Sequence, residues 1–255
     1  LMDAILARKE VLINTAEVVS SFVLDHFLSE KFDISLKKDG SEVTTIDIEA
    51  EIIARRAISG AFPMDSILGE EHGATEGSSG YKWVIDPIDG TTSFARGVPL
   101  FGTLIGIEYE HTPIAGIATL PALGKTISAV CGEKAETNTD DICRVSTVST
   151  LETAMICTTS YDYYKQTNAE EIYHRLLACS GSTRGWSDCF GYYLLCTGKV
   201  DAVVEPLLKS WDITPWLPIL ASCGGKYTSI AEGGIASNHN LHDSLYHALH
   251  ENITN

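Results

Sequence analysis

Residues 83–99 read W-V-I-D-P-I-D-G-T-T-S-F-A-R-G-V-P. In this stretch two aspartates flank a proline, and a glycine and two threonines follow directly. Because proline disfavours the helical conformation in the residue before it, Asp86 should be extended. The pattern therefore predicts a strand over residues 82–85 that ends at Asp86.

The residues after this strand place acidic and hydroxyl groups close together. Gly90 permits a tight turn, and the backbone N–H groups after it can face an anion at the start of a helical turn. Asp86, Asp89 and the Thr91 hydroxyl should then crowd at a strand end, where like charges repel and raise each other's pKa. A divalent cation would relieve that repulsion. The alternative is a turn with solvated aspartates, which the D-P-x-D pattern alone favours.

The composition is that of an acidic globular protein. The chain has 255 residues, 44% of them hydrophobic, and a formal net charge of −16. This length allows one large domain or two packed halves. The negative charge disfavours nucleic acid or an anionic membrane as a partner. It also disfavours an anionic substrate unless bound cations invert the local field.

The sequence predicts a cytoplasmic protein without membrane association. The seven cysteines include no C-x-x-C pair and are expected to be reduced thiols. We expect no apolar stretch to approach the roughly 20 residues that span a bilayer. Charged residues interrupt the N-terminal amphipathic pattern at Asp3, Arg8, Lys9 and Glu10, so we expect it not to be a signal peptide.

Helical and strand-like patterns alternate along the chain and predict a layered α/β or α+β fold. The polar stretch 133–141 is the best candidate boundary, so we predict an N-terminal half over residues 1–139 and a C-terminal half over residues 140–255 that form one catalytic unit. Asp212 would belong to the C-terminal half. Helices are predicted over residues 4–27, 45–61, 169–180, 189–197 and 214–222. Strands are predicted over residues 34–37, 66–68, 82–85, 102–108, 114–120, 126–131, 154–158, 182–186, 202–205 and 226–229.

Three further segments supply acidic residues. Glu70 follows a predicted strand in the motif G-E-E-H-G, and Asp47 stands at the start of a predicted helix. Asp212 precedes the helix that Pro215 is expected to open. Taken singly, Glu70 could be a loop acid, and Asp47 and Asp212 could be helix caps. Together with the aspartate turn they form an ordered set that chance does not easily produce.

These motifs resemble the inositol monophosphatase superfamily. The resemblance rests on G-E-E at 69–71, D-P-I-D-G-T-T-S-F at 86–94, and W-D at 211–212 before a helix that ends in G-G. It extends from the first helix to A-S-N at 236–238 and is most specific at the aspartate turn. It implies an αβαβα five-layer sandwich. It also implies a Mg²⁺-dependent, lithium-sensitive phosphatase that acts on small molecules and is commonly a homodimer.

The resemblance also implies a role for each residue of the set. The implied metal ligands are Glu70, Asp86, the carbonyl oxygen of Ile88, Asp89 and Asp212. The implied phosphate contacts are Ile88, Asp89, Gly90, Thr91 and Asp212. Mg²⁺ prefers all-oxygen ligands, and two or three ions per active site are implied. Glu70 would act through the ion that activates water. Thr91 and Asp47 would orient or deprotonate that water.

Two segments resemble the histidinol-phosphate phosphatase branch more closely. Ser93 stands where inositol phosphatases typically carry asparagine, and residues 183–192 (T-R-G-W-S-D-C-F-G-Y) also depart from the inositol enzymes. Histidinol phosphate carries an ammonium group and a titratable imidazole, which acidic groups would suit. The predicted specificity residues are Arg184, Asp188 and Glu205. For Arg184 and Asp188 the alternative is an internal salt bridge.

The sequence thus predicts a Mg²⁺-dependent phosphomonoesterase that hydrolyses L-histidinol phosphate with metal-activated water. An inositol-1-phosphate phosphatase of the same fold is the first alternative. A non-catalytic module that binds a phosphorylated metabolite is an alternative of a different class. The complete set of acids together with Thr91 disfavours such a module, because a binding module does not need a water-activating group.

Overall fold

The computed structural model describes residues 2–29, 31–38 and 40–250. The chain forms two compact units. The first unit combines the chain up to Asp140 with Ser210–Ile219, and the second combines Asp141–Lys209 with the chain from Leu220 onward. The segment that carries Asp212 therefore belongs to the first unit, which corrects its predicted place in the C-terminal half.

The described helices and strands alternate as follows. Up to Asp140 they are α1 (Met2–Ser29), β1 (Ile34–Leu36), β2 (Glu42–Thr44), α2 (Thr45–Ala61), β3 (Ser66–Gly69), β4 (Gly73–Thr75), β5 (Tyr81–Asp89), α3 (Thr91–Ala95), β6 (Gly102–Tyr109), β7 (Thr112–Leu120), β8 (Lys125–Val130) and β9 (Glu136–Thr137). Beyond it they are β10 (Met155–Thr158), α4 (Tyr161–Gln166), α5 (Glu170–Cys179), β11 (Ser182–Arg184), α6 (Asp188–Cys196), β12 (Ala202–Glu205), α7 (Ser210–Ile213), α8 (Trp216–Ser222), β13 (Gly225–Ile230), β14 (Gly233–Asn238) and α9 (His242–His250).

The first unit is built on a seven-stranded sheet in the order β4-β3-β5-β6-β7-β8-β9. Only β3 and β5 run parallel, and the other neighbours are antiparallel. Helices α1 and α2 pack on this sheet through a shared apolar core. Leu12, Val19, Ala54 and Trp83 in that core are each 1% exposed or less. Burial of these side chains supplies most of the free energy that holds the helices on the sheet.

The second unit is built on a five-stranded mixed sheet in the order β11-β10-β12-β14-β13. Its core joins Ile156, Val204 and Ile235 of the sheet to Leu176 of α5 and Leu245 of α9. Helix α6 also packs against β12 and β14. The strands and helices predicted between residues 154 and 205, and the strand predicted over residues 226–229, are present, but the pattern did not predict α4 or β14. All six residues of β14 are buried, so the strand lacks the alternation of polar and apolar residues that identifies a half-exposed strand.

Helix α1 is long and apolar enough over Ala4–Ser29 to span a membrane, judged by length and composition alone. No other helix among the described residues is. This corrects the expectation that no apolar stretch approaches that length. Leu12, Ala16 and Val19 on its inner face are at most 1% exposed and belong to the core of the first unit. Packing of this face on the sheet accounts for the buried apolar residues of α1, whereas Leu6, Val18 and Leu28 of the same helix are exposed.

Strand β5 does not end at Asp86 as predicted but continues through Pro87 to Asp89. Asp86 pairs with Leu104 and Asp89 with Gly102, and the register shifts between these two pairs. Proline is tolerated inside a sheet at such a bulge, because its missing N–H is not needed for the ladder. The carbonyl oxygen of Pro87 still accepts a hydrogen bond from Thr103 Oγ1 at 2.9 Å.

Helix α7 packs against β5 and β6 because two glycines make room for the residues that follow it. A Cβ atom on Gly116 would lie 1.9 Å from the carbonyl oxygen of Pro215, and one on Gly106 would lie 3.0 Å from the nitrogen of Pro215. Pro215 interrupts the predicted helix over residues 214–222, since proline cannot donate the next helical hydrogen bond. Asp212 therefore lies inside α7. It does not stand directly before α8, the helix that follows Pro215, as the sequence predicted.

Substitution Gly116→Ala should destabilise the first unit, because the new methyl group would overlap the Pro215 backbone. We expect the free energy of unfolding, measured with urea, to fall by about 1–3 kcal/mol. Gly60→Ala is the matched control, since its Cβ would meet nothing within 4 Å. Equal stability of Gly116→Ala and Gly60→Ala would contradict the close approach of Pro215.

Candidate metal and active site

Three carboxylates meet in the first unit. Asp86, Asp89 and Asp212 each offer an oxygen atom, and these atoms lie within 4.8 Å of one another. Asp86 and Asp89 come from the end of β5 and Asp212 from α7. The structure thus brings together three of the residues that were predicted to bind metal. We call them the aspartate cluster.

The aspartate cluster is electrostatically unfavourable without a cation. Asp86 is 2% exposed, and its Oδ1 accepts a hydrogen bond from the N–H of Ile88 at 3.0 Å. Burial raises the pKa of Asp86 well above its ordinary value, and the charges of Glu70, Asp89 and Asp212 raise it further. A divalent cation would remove this penalty, and hard cations such as Mg²⁺ prefer carboxylate and carbonyl oxygens. The donor set therefore fits Mg²⁺.

Glu70 follows β3 and forms an ion pair that the sequence did not predict. Lys37 Nζ lies 2.5 Å from Glu70 Oε1 and 2.7 Å from Glu71 Oε1. Burial lowers the pKa of Lys37, but its hydrogen bonds to both glutamates outweigh burial and raise it. Burial raises the pKa of Glu71 to about 7. Among the described residues Glu70 lies outside the aspartate cluster, although its charge is the foremost one acting on Asp86.

Thr91 and Asp47 form the predicted hydroxyl–carboxylate pair. Thr91 Oγ1 lies 2.9 Å from Asp47 Oδ1 and 2.9 Å from the carbonyl oxygen of Ile88. The other oxygen of Asp47 accepts hydrogen bonds from the N–H of Thr44 at 2.8 Å and from Thr44 Oγ1 at 2.5 Å. Burial raises the pKa of Asp47, while the hydrogen bonds from Thr44 and Thr91 lower it in part.

A capping box and a glycine turn place these two residues. Thr44 caps α2, and the carboxylate of Asp47 in the first turn accepts the backbone N–H of Thr44, which fixes the carboxylate at the start of the helix. Gly90 has a φ of +83° and precedes α3, which begins at Thr91. A residue with a Cβ would be strained there, so the expected glycine turn is confirmed.

The second unit brings Asp188 and Glu205 together. Glu205 is 5% exposed, and its Oε1 lies 3.4 Å from the N–H of Asp188. Tyr192 donates its hydroxyl to Glu205 Oε2 at 3.3 Å. Burial raises the pKa of Asp188 to about 6, and its φ of +54° is an uncommon conformation for a residue other than glycine. Such strained residues concentrate at functional sites.

Arg184 lies on the surface of the second unit. Its Nη1 donates to the carbonyl oxygen of Thr183 at 2.7 Å, and its guanidinium lies 5.9 Å from the ring centre of Trp186. Within the described part of the chain, no ion pair joins Arg184 to Asp188. The alternative of an internal salt bridge between them is therefore not supported.

The family description of inositol monophosphatases matches residues 7–254 of this chain. The chain belongs to the inositol monophosphatase family. This membership confirms the resemblance found in the motifs and assigns the chain to a family of phosphatases. The family is generally dependent on Mg²⁺, in agreement with the oxygen donors of the aspartate cluster.

The relatives of the chain carry more than one name. A histidinol-phosphatase from Chlorobaculum parvum is 32% identical over 216 residues, which cover 85% of this chain and 83% of the relative. A histidinol-phosphatase from Streptomyces coelicolor is 32% identical over 251 residues, which cover 92% of this chain and 94% of the relative. An inositol-1-monophosphatase from Mesorhizobium japonicum is 29% identical over 208 residues, which cover 80% of this chain and 78% of the relative.

A solved structure confirms the family fold. The extragenic suppressor protein suhB from Bartonella henselae has a TM-score of 0.88 and 26% sequence identity, with 97% of this chain and 100% of that chain covered. The predicted α/β fold of the inositol monophosphatase type is therefore correct.

Sequence reasoning missed two residues around Glu70, namely Lys37 and Glu51. Lys37 follows β1 and reaches Glu70 across 33 positions of sequence. Glu51 lies on α2 and accepts hydrogen bonds from the backbone of the turn that carries Glu70. Nothing local identifies either residue. The spacing of Glu51 from Asp47, one helical turn on the same face, was the one available signal.

Proposed function

We propose that this phosphatase hydrolyses L-histidinol phosphate to L-histidinol and inorganic phosphate. The aspartate cluster, together with the adjacent Thr91–Asp47 pair, is the observation that carries the proposal of catalysis. These groups provide what phosphoryl transfer requires, namely positioning of the reactants and neutralisation of phosphate charge. A module that only binds its ligand has no need of the Thr91–Asp47 pair.

Thr91 and Asp47 would handle the proton of the attacking water. A Thr91 hydroxyl that donates to Asp47 Oδ1 leaves its lone pairs free to accept a proton from water. As the water loses this proton to Thr91 Oγ1, the Thr91 proton passes to Asp47 Oδ1. The raised pKa of Asp47 makes it a stronger base than an ordinary carboxylate. The resulting hydroxide then attacks phosphorus in line, and the bond between phosphorus and the alcohol oxygen breaks. The alcohol oxygen takes a proton from solvent water and leaves as L-histidinol, while Asp47 returns its proton to solvent.

The acidic residues would hold the cation and the phosphate. The proposed ligands of Mg²⁺ are Glu70, Asp86, the Ile88 carbonyl, Asp89 and Asp212. When bound, Mg²⁺ would neutralise phosphate charge and lower the pKa of water. The backbone N–H groups of Gly90 and Thr91 are proposed to donate to the remaining phosphate oxygens.

The carboxylates of the second unit support histidinol phosphate as the substrate. The Glu205 carboxylate is buried beside the backbone N–H of Asp188, which is half-buried. Two negative charges from these residues would suit an ammonium group better than the neutral hydroxyls of inositol. Two histidinol-phosphatases also share 32% identity with most of the chain. Inositol 1-phosphate is the second candidate, favoured by the family description and by the relative from Mesorhizobium japonicum.

The remaining predictions accompany this proposal. We propose a cytoplasmic enzyme that forms a homodimer, binds two or three Mg²⁺ ions per active site and is inhibited by lithium. Its partner molecule would be a small phosphomonoester.

Release of phosphate from the two candidate substrates tests the proposal. With Mg²⁺, we expect kcat/KM for histidinol phosphate to exceed that for inositol 1-phosphate at least tenfold, which corresponds to about 1.4 kcal/mol. With EDTA, both rates should fall to the background. A preference for inositol 1-phosphate would establish the second candidate. Absence of Mg²⁺-dependent release from both esters would contradict the proposal.

Substitution Thr91→Val should slow hydrolysis without a comparable loss of substrate binding. Valine keeps the shape of threonine but has no hydroxyl, so proton transfer to Asp47 is lost. We expect kcat to fall by about 10²–10⁴-fold, in the range of general acid–base catalysis. Thr91→Ser, which restores the hydroxyl, should recover most of the activity. Near-normal kcat in Thr91→Val would contradict the proton path.

A further inference from the structure

Glu51 is a buried carboxylate that the proposed mechanism does not use. It lies on α2, one turn after Asp47, and its side chain is fully buried. A buried carboxylate is costly unless charge partners and hydrogen bonds compensate for the loss of water. The partners of Glu51 therefore indicate what it does.

Both oxygens of Glu51 are engaged by the turn that follows β3. Oε2 accepts the N–H of Glu71 at 2.6 Å, and Oε1 accepts the N–H of His72 at 3.2 Å. Arg55, one turn further along α2, donates its Nε to Oε1 at 2.7 Å. Arg55 also donates to the carbonyl oxygen of Gly73 and to Thr75 Oγ1, so it holds the far side of the same turn.

The turn is shaped to admit this carboxylate. A Cβ atom on Gly69 would lie 2.1 Å from Glu51 Oε1 and 2.3 Å from its Cδ. Any other residue at position 69 would displace the Glu51 carboxylate. The first glycine of the G-E-E motif is thus required by Glu51.

Hydrogen bonds hold the backbone at Glu70 and at the two residues that follow it. The N–H of Glu70 donates to the carbonyl oxygen of Ile85 in β5 at 3.1 Å, and the next two N–H groups donate to Glu51. Glu70 is the proposed metal ligand that lies outside the aspartate cluster. Its side chain is also paired with Lys37, which competes with a metal for its oxygens.

We propose that Glu51 is a positioning residue that fixes the Glu70 turn and thereby raises the affinity of the site for divalent cations. The inference rests on the proposed function, because it takes Glu70 as a metal ligand. Without the two hydrogen bonds to Glu51, the backbone that follows Glu70 is less firmly held, and the Glu70 carboxylate stays paired with Lys37 for a larger fraction of the time. Groups that orient metal ligands typically contribute 10–100-fold to metal affinity.

Substitution Glu51→Gln tests this role in the whole 255-residue chain. Glutamine keeps the size of glutamate, but its NH₂ group cannot accept the hydrogen bonds of the turn. We expect calorimetric titration with Mn²⁺ in the absence of substrate to show about 10–100-fold weaker binding. The Mg²⁺ concentration for half-maximal activity should rise by the same factor, whereas kcat at saturating Mg²⁺ should change by about threefold or less.

Two control variants on α2 distinguish positioning from a general loss of stability. Glu49→Gln makes the same change of charge at an exposed position. Ile58→Ala removes a fully buried side chain that belongs to the core and not to the Glu70 turn. Both controls should bind Mn²⁺ within twofold of the unmodified protein, although Ile58→Ala should unfold more easily.

The outcomes separate this inference from the proposed function. Unchanged Mn²⁺ affinity in Glu51→Gln, or equal weakening in Ile58→Ala, would overturn the role of Glu51 alone. Absence of Mn²⁺ binding in the unmodified protein would overturn the proposed metal site itself. If Glu51→Gln does not fold, Arg55→Lys takes its place, because lysine keeps the charge but loses the fork of N–H donors. That variant should bind Mn²⁺ several-fold more weakly, and unchanged affinity would overturn the inference.

Discussion

Substitution Asp86→Asn is expected to abolish most of the phosphatase activity and to make the metal-free protein more stable. Asparagine keeps an oxygen for the N–H of Ile88 but loses the charge that a divalent cation needs. We expect kcat/KM to fall by about a thousandfold, since the loss affects neutralisation of charge in the transition state. Without a cation, the same change removes the cost of burying a charge and the repulsion from neighbouring carboxylates, which together raise the pKa of Asp86.

The effect on stability should depend on pH in a definite direction. The pKa of Asp86 is raised in the folded protein, so its contribution to stability is complete below its unfolded pKa of about 3.9. That contribution is lost as the pH rises through the folded value. In EDTA, the unmodified protein should therefore lose stability towards neutral pH, and Asp86→Asn should lose less.

Thermal unfolding in EDTA at pH 5 and pH 8 measures this difference. At pH 8 we expect Asp86→Asn to have the higher Tm, by about 2–4 °C for each kcal/mol of repulsion relieved. Mg²⁺ should raise the Tm of the unmodified protein and leave that of the variant nearly unchanged. Asp162→Asn, at a side chain that is 73% exposed, is the control for a change of charge. A lower Tm for Asp86→Asn than for the unmodified protein at pH 8 would contradict the electrostatic account.

The second large effect is expected for the acidic pair of the second unit. Glu205→Gln and Asp188→Asn each remove a negative charge that we propose binds the ammonium group of the substrate. A hydrogen bond to a charged group contributes about 1.5–3 kcal/mol, so kcat/KM for histidinol phosphate should fall by about 10–150-fold. Nitrophenyl phosphate has no ammonium group, so its hydrolysis should change by about threefold or less.

Comparison of the two esters makes this prediction specific. Glu171→Gln is the matched control, because Glu171 belongs to the same unit and its side chain is 71% exposed. The control should hydrolyse both esters at the rates of the unmodified enzyme. Equal losses on both esters in Glu205→Gln and Asp188→Asn would indicate a structural role for the pair and would contradict its role in substrate selection.

Local sequence patterns were sufficient where short-range physics decides the structure. Helix α2 spans Thr45–Ala61 as the pattern predicted, and Gly90 adopts the positive φ that its turn requires. The motifs around Asp86 and Asp89 also predicted correctly that acidic groups would meet. In each case residues only a few positions apart determine the geometry.

The features that sequence reasoning missed depend on contacts between distant residues. Asp212 joins the first unit because Gly106 and Gly116, about 100 positions earlier, leave space for Pro215. Strand β5 continues through Pro87 because β6 accepts a shift of register there. Such features follow from packing in three dimensions, which no pattern within a short window of sequence reports.

Binding of a divalent cation by the aspartate cluster is the central claim of this account. Diffraction from crystals grown with Mn²⁺, recorded at the manganese absorption edge, tests it most directly. The account predicts an anomalous peak for manganese within bonding distance of oxygens of Asp86, Asp89 and Asp212. It also predicts that this peak is lost in Asp89→Asn crystals grown in the same way. Manganese bound elsewhere, with these three carboxylates free of it, would contradict the claim.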